Sequence, residues 1–309
     1  MTATLENDRW TSSPPNEIAE RIRALGPVID PPGTARIYAD ILAHQPTEGV
    51  DVIFNIRYGN GTRQTLDVYR PVAAQGSVPV VLFFHGGGYS RGDKSDRSNV
   101  GYFFARNGVT ALIANYGLAP ECKWPSGARD VIGALRWAQQ NAESHGASPC
   151  RICLLGESAG AAHVALASFA SRFHEERPLG AAGIVLQSGS YDVALEHVAA
   201  AAFGIPSPDL RNQAYFGEDM ARYREMSTIR LIDAPDVPTL ITYAEHDPAQ
   251  MQVQAGELFA TLAMRAFTCP RLLRLSGHGH ISQCCSYNTA DTSVSGRVLD
   301  FLMSLPGVA

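Results

Sequence analysis

No run of about 18 apolar residues occurs in this 309-residue chain, so none of its helices is expected to span a bilayer. Basic charge is not in excess either. The chain has 25 Lys and Arg against 30 Asp and Glu, a formal net charge of −5. That balance gives no electrostatic ground for binding DNA, RNA or an anionic membrane surface. Cysteine is sparse, with six residues at positions 122, 150, 153, 269, 284 and 285. A secreted scaffold stapled by disulfides would be shorter and denser in cysteine. The opening MTATLENDRW has acidic and polar residues where a secretory leader needs a basic start and an apolar stretch. The expectation is a cytoplasmic protein with reduced thiols.

Two cysteine pairs have spacings that invite a metal or redox reading. Cys150 and Cys153 form a C-x-x-C, but Cys153 lies in the apolar run ICLL, which reads as a strand. Residues three apart on a strand face opposite sides, so they cannot share an ion. Cys284 and Cys285 are adjacent and read as packed thiols. No metal site is expected from them.

The remaining composition, 45% hydrophobic and 18% charged, is that of an ordinary globular protein. The length suits one large domain with an added cap. In NEIAERIRAL, Ile18, Ile22 and Leu25 recur at helical spacing, with Asn16 as the expected N-cap. Residues 1–45 therefore read as an N-terminal helical cap segment, and 46–309 as the main domain. VDVIFNIRYG and TRQTLDVYRP alternate apolar and polar residues around Gly59–Asn60–Gly61, as an antiparallel pair does.

Beyond these the pattern changes. PVVLFFHGGG, VTALIAN, RICLLG, GIVLQSG, PTLITYA and RLLRLSG are short continuous apolar runs, the mark of strands buried on both faces of a parallel sheet. Helical patterns separate them. One is the stripe Val131, Ile132, Leu135, Ala138 and Ala142. Strand–helix alternation predicts an α/β fold with helices on both faces of a mostly parallel central sheet. Residues 192–234 interrupt this rhythm and read as a cap insertion over the carboxyl ends of the strands. Trp10, Phe203, Tyr215 and Phe216 are candidates either to line a pocket there or to form cap core.

Gly156–Glu157–Ser158–Ala159–Gly160 directly follows one strand and directly precedes a helical run. A G-x-S-x-G in that setting is a nucleophile elbow, with small residues two positions either side of a serine on a tight turn. His85–Gly86–Gly87–Gly88–Tyr89 ends another apolar strand. Acyl transfer passes through a tetrahedral oxyanion, and fixed backbone N–H groups stabilise it. Gly86, Gly87, Gly88 and Ala159 are the candidate donors, with His85 bracing the loop.

A serine nucleophile needs a histidine base oriented by a carboxylate, in the chain order Ser, Asp/Glu, His. Past the strand PTLITYA stand Glu245 and Asp247; Asp247 is the favoured acid and Glu245 the alternative. Past RLLRLSG stand His278 and His280; His280 is the favoured base and His278 the alternative. His163 reads as a core histidine.

HGGGYSRGDKSD, YGLAPE at 116–121, WPSGARD at 124–130 and GESAG resemble the hormone-sensitive-lipase-like and feruloyl-esterase-like branch of the α/β-hydrolases. The resemblance runs over roughly residues 60–305. It implies the α/β-hydrolase fold, a small helical cap and carboxylesterase activity on small or medium esters without a cofactor. It carries the acid role to Asp247 through the segment 246–248. Glu157 and Gly117 depart from the pattern, where many relatives have Asp and Arg. GHGHIS is likewise unusual around the base, which leaves His278 and His280 both open. The other expectations to weigh are an arylformamidase or amidase on the same residues, and a non-catalytic small-molecule receptor. The expected partner is a small ester, and a homodimer through a sheet edge is also to be weighed.

Overall fold

The continuous apolar runs become the inner strands of one eight-stranded sheet in a computed structural model, which describes residues 9–73, 77–174, 179–196 and 209–307. In chain order the strands are β1 (Val50–Arg57), β2 (Thr65–Pro71), β3 (Val78–Phe84), β4 (Thr110–Ala114), β5 (Ala147–Glu157), β6 (Gly183–Gln187), β7 (Thr239–His246) and β8 (Arg271–Gly279). Their order across the sheet is β1-β2-β4-β3-β5-β6-β7-β8. The alternating segments form the antiparallel β1–β2 pair, and β2 also runs antiparallel to β4. Every pairing from β4 to β8 is parallel.

The strand pleat explains the two-sided burial. On β3, Val80, Leu82 and Phe84 enter one core, and Val81 and Phe83 enter the other. The first core is covered by α4 (Ser126–Asn141), α5 (Ala159–Phe169) and α7 (Ala249–Ala263). Val131, Ile132, Leu135, Ala138 and Ala142, the stripe read from the sequence, all lie in it. The second core is covered by α3 (Ser98–Arg106) and α8 (Ser295–Met303). This is the α/β-hydrolase architecture. No helix among the described residues is long and apolar enough to cross a membrane.

Two helices precede the sheet. In α1 (Asn16–Leu25), Ile18 and Ile22 are buried. Asn16 is not the N-cap; Pro15 holds that position, and its carbonyl accepts the Ala19 N–H. In α2 (Pro31–Ala43), Asp30 caps the start by accepting the Gly33 N–H at 2.9 Å. Ile37 and Tyr38 of α2 pack with Ile18 and Ile22 of α1 against Cys285.

The described part of 192–234 contains α6 (Leu210–Phe216) and short helical turns at Tyr223–Met226 and Thr228–Leu231. Residues 1–8 of the N-terminal segment, and 197–208 with Phe203, lie outside the described residues. Tyr215 and Phe216 pack into a cluster with Tyr89, Tyr223 and Met226 rather than facing a cavity. Trp10 does not line the cavity; it packs against Gly296 on α8 and donates to Asp300.

Candidate active site

Five parallel strands, β3 and β5 to β8, end at the same rim, and the residues singled out by the sequence follow these ends. β5 runs straight into Ser158, whose φ of 52° and ψ of −116° place it in a conformation rare for a side-chain-bearing residue. α5 begins at the next residue. Both glycines of the elbow are required by contact. A Cβ on Gly156 would lie 2.5 Å from the Gly160 carbonyl oxygen, and one on Gly160 would lie 2.2 Å from that of Phe84.

Asp247 follows β7 and is fully buried. It accepts the Ala244 N–H at 2.6 Å and the Ser188 hydroxyl, which leaves its Oδ1 for His280 Nδ1 at 2.7 Å. His280 Nε2 lies 2.8 Å from Ser158 Oγ. The Gln283 amide holds the His280 carbonyl at 2.9 Å and the Ser188 hydroxyl at 2.7 Å, tying the carboxylate and imidazole loops together.

The two alternatives lie elsewhere. Glu245 accepts the Gly277 N–H at 2.9 Å and pairs with Arg274 at 3.0 Å on the outer strand. His278 faces Ser293 at 2.9 Å and Ser282 at 3.1 Å, and Asp291 stands 3.4 Å away. Burial holds its imidazole well below the ordinary histidine range, although Asp291 pulls upward. His280 behaves in the opposite way. Burial pulls it down, but the hydrogen bond and charge of Asp247, with Glu157 and Glu196 adding, leave it above its ordinary value.

The glycine loop after β3 faces Ser158 from the other side. Gly87 has φ 133°, and a Cβ there would fall 1.9 Å from the Arg91 carbonyl oxygen, so only glycine fits. His85 is buried and stacks on Tyr116, whose hydroxyl donates to its carbonyl at 2.9 Å; the ring braces the loop. The Gly86 N–H is already engaged, donating to Glu157 Oε2 at 3.1 Å. The N–H groups of Gly87, Gly88 and Ala159 have no hydrogen-bond partner among the described residues, and all three residues line the cavity above Ser158.

The sequence reading missed Arg97. Its guanidinium makes a two-pronged pair with Glu157, at 2.7 and 2.8 Å, beneath the glycine loop. Burial would push the Glu157 carboxyl up, yet Arg97 and the Gly86 N–H hold it below the usual carboxylate range. Glu157 stood out only as a departure from the family pattern, and its cation lies 60 positions upstream with no local signal. Arg97→Met leaves a buried carboxylate unpaired and should cost about 3–5 kcal/mol of stability. Urea unfolding of the variant against the parent measures it; an unchanged midpoint would remove the pair from the account.

The cavity has a volume of about 590 Å³. It is lined by α2, through Ala35, Ala39 and Leu42, and by the polar group Ser190, Glu196, Asp209 and Arg211. Among the described residues no three His, Cys, Asp or Glu side chains are grouped to hold a metal ion. Cys150 is exposed and Cys153 buried on β5.

Comparison with known proteins bears on this geometry. Carboxylesterase NlhH of Mycobacterium tuberculosis is 36% identical over 106 residues, 34% of this chain and 33% of that protein. Mouse hormone-sensitive lipase is 30% identical over 169 residues, 52% of this chain and 22% of that one. The chain thus spans about a third or less of the curated relatives it matches first. Among solved structures, a bacterial heroin esterase superposes with a TM-score of 0.72 at 24% identity, over 94% of this chain and 96% of that one. That likeness concerns the fold. The BD-FAE family model matches residues 66–262, which takes in the glycine loop, the elbow and Asp247, and the chain belongs to the BD-FAE family.

Proposed function

We propose that this chain is a serine carboxylesterase acting on small or medium esters through an acyl-enzyme. The observation that carries the reading is the unbroken hydrogen-bonded chain from Ser158 Oγ through His280 to Asp247 at the floor of the cavity. Ser158 attacks the ester carbonyl as His280 Nε2 takes its proton. Asp247 fixes the tautomer and stabilises the imidazolium. The oxyanion is met by the N–H groups of Gly87, Gly88 and Ala159, while Gly86 serves the loop through Glu157. Water activated by the same imidazole then releases the acid.

Likeness to carboxylesterases supports an ester over an amide or formamide substrate. The test is parallel turnover of p-nitrophenyl esters and an N-formyl aromatic amine. Faster cleavage of the formamide would replace this reading by an arylformamidase. A receptor would cleave neither.

The working form of His280 is the neutral imidazole. Because its affinity for a proton is raised, kcat/KM should fall on the acid side with a midpoint above the ordinary 6.5. Asp247→Asn removes the charge responsible, so burial dominates and the midpoint moves down. Turnover should fall by about 10⁴-fold. A midpoint that stays in place would separate Asp247 from the base.

The same proposal includes the cap. α2 walls the cavity, which supports 1–45 and 192–234 as a helical cap on a 46–309 catalytic domain. Free thiols at all six cysteines support a reducing, cytoplasmic setting, checked by fractionation. Phe54 on β1 and Leu272 on β8 expose apolar surface at the two sheet edges, which supports a homodimer, checked by sedimentation.

A further inference from the structure

The polar wall of the cavity carries an unmatched charge. Arg211 is committed to Asp209, reaching its two carboxylate oxygens at 3.0 and 2.6 Å. Glu196 has no cation within ion-pair distance among the described residues. It is held instead by the side-chain amide of Gln254, at 2.8 Å. That amide cannot turn over, because its oxygen already accepts the N–H groups of Tyr191 and Asp192, each at 2.7 Å. Gln254 therefore aims its NH₂ at Glu196 and fixes the carboxylate on the cavity wall.

The surroundings disfavour its charge without supplying a cation to hold it. Burial pushes the Glu196 carboxyl above its ordinary range and Asp209 adds to that, against hydrogen bonds from Gln254 and Ser190. Glu196 lines the same cavity as Ser158, His280 and Tyr89 and acts electrostatically on the His280 imidazole and on Tyr89. When both carboxylates are ionised, they leave this wall one negative charge in excess of the single Arg211 guanidinium, which feels Glu196 only through space. A neutral donor would satisfy a lone pair and leave the charge; a cation would satisfy both.

We propose that Glu196 is a specificity-determining residue that selects esters bearing an ammonium group, which it seats on the polar part of the cavity lining. The proposal rests on the esterase reading of Ser158 and names its substrate class. Isosteric pairs test it with the full chain. On the alcohol side, 2-(dimethylamino)ethyl butyrate is compared with 3-methylbutyl butyrate. On the acyl side, phenyl 4-(dimethylamino)butyrate is compared with phenyl 5-methylhexanoate. Members of each pair differ only by N–H⁺ in place of C–H.

In at least one pair, Glu196→Gln should lower kcat/KM for the cationic ester about tenfold more than for its neutral partner. Equal changes for both members of both pairs would overturn the proposal and make Glu196 a positioning residue acting through His280. A second measurement needs no variant: 2-(dimethylamino)ethanol should compete with a neutral ester more strongly than 3-methylbutan-1-ol, or 4-(dimethylamino)butyrate more strongly than 5-methylhexanoate, and equal competition within both pairs would also overturn it. Failure of the underlying reading looks different. Then the neutral esters go uncleaved and a fluorophosphonate leaves Ser158 unlabelled, which overturns both.

Discussion

Ser158→Ala is expected to lower ester turnover by about 10⁶-fold while leaving the fold intact. The size follows from where the hydroxyl sits. Its oxygen is 2.8 Å from His280 Nε2, on a turn whose φ of 52° holds it up from the sheet. No other described hydroxyl is hydrogen-bonded to His280 Nε2. The methyl of alanine suits the same turn, so the loss should appear in kcat and not in the unfolding midpoint. Ester turnover by the purified variant measures the first, and thermal unfolding the second. A fluorophosphonate should label the parent chain and not the variant. A variant that keeps a tenth or more of parental turnover would remove Ser158 as nucleophile.

The second large effect divides the two histidines. His280→Ala should cost about as much as losing the serine, because nucleophile and base act as a unit and their losses do not add. The double variant Ser158→Ala, His280→Ala should therefore be no slower than either single one. His278→Gln should leave most turnover in place. Its cost should appear in stability, because His278 ties Ser282 and Ser293 inside a closed network with Asp291. Kinetics and unfolding on the same two proteins check both arms. If His278→Gln abolished turnover and His280→Ala did not, the base would have to be reassigned.

The pattern of failure in the sequence reading has a physical basis. Tyr215 and Phe216 are aromatic residues in an insertion over the strand ends, which is equally the description of a pocket wall and of cap core. They pack with Tyr89. The cavity is lined by Glu196 and Arg211 instead, charged residues with no motif around them. Gly86 belongs to the same glycine run as Gly87 and Gly88, and nothing local distinguishes their N–H groups. What distinguishes them is a carboxylate 71 positions away.

By itself the sequence determined what depends on near neighbours in the chain. Period-two and continuous apolar runs marked the antiparallel pair and the parallel strands, because the pleat puts alternate residues on opposite faces. The glycines at 156 and 160 marked a turn too tight for a side chain. Tertiary structure alone decided which groups meet. Asp247 rather than Glu245 faces His280, His280 rather than His278 faces Ser158, and Arg97 finds Glu157. Residues 33 to 122 positions apart come together only when the sheet closes, and which way a side chain turns at the rim depends on partners that no local pattern encodes.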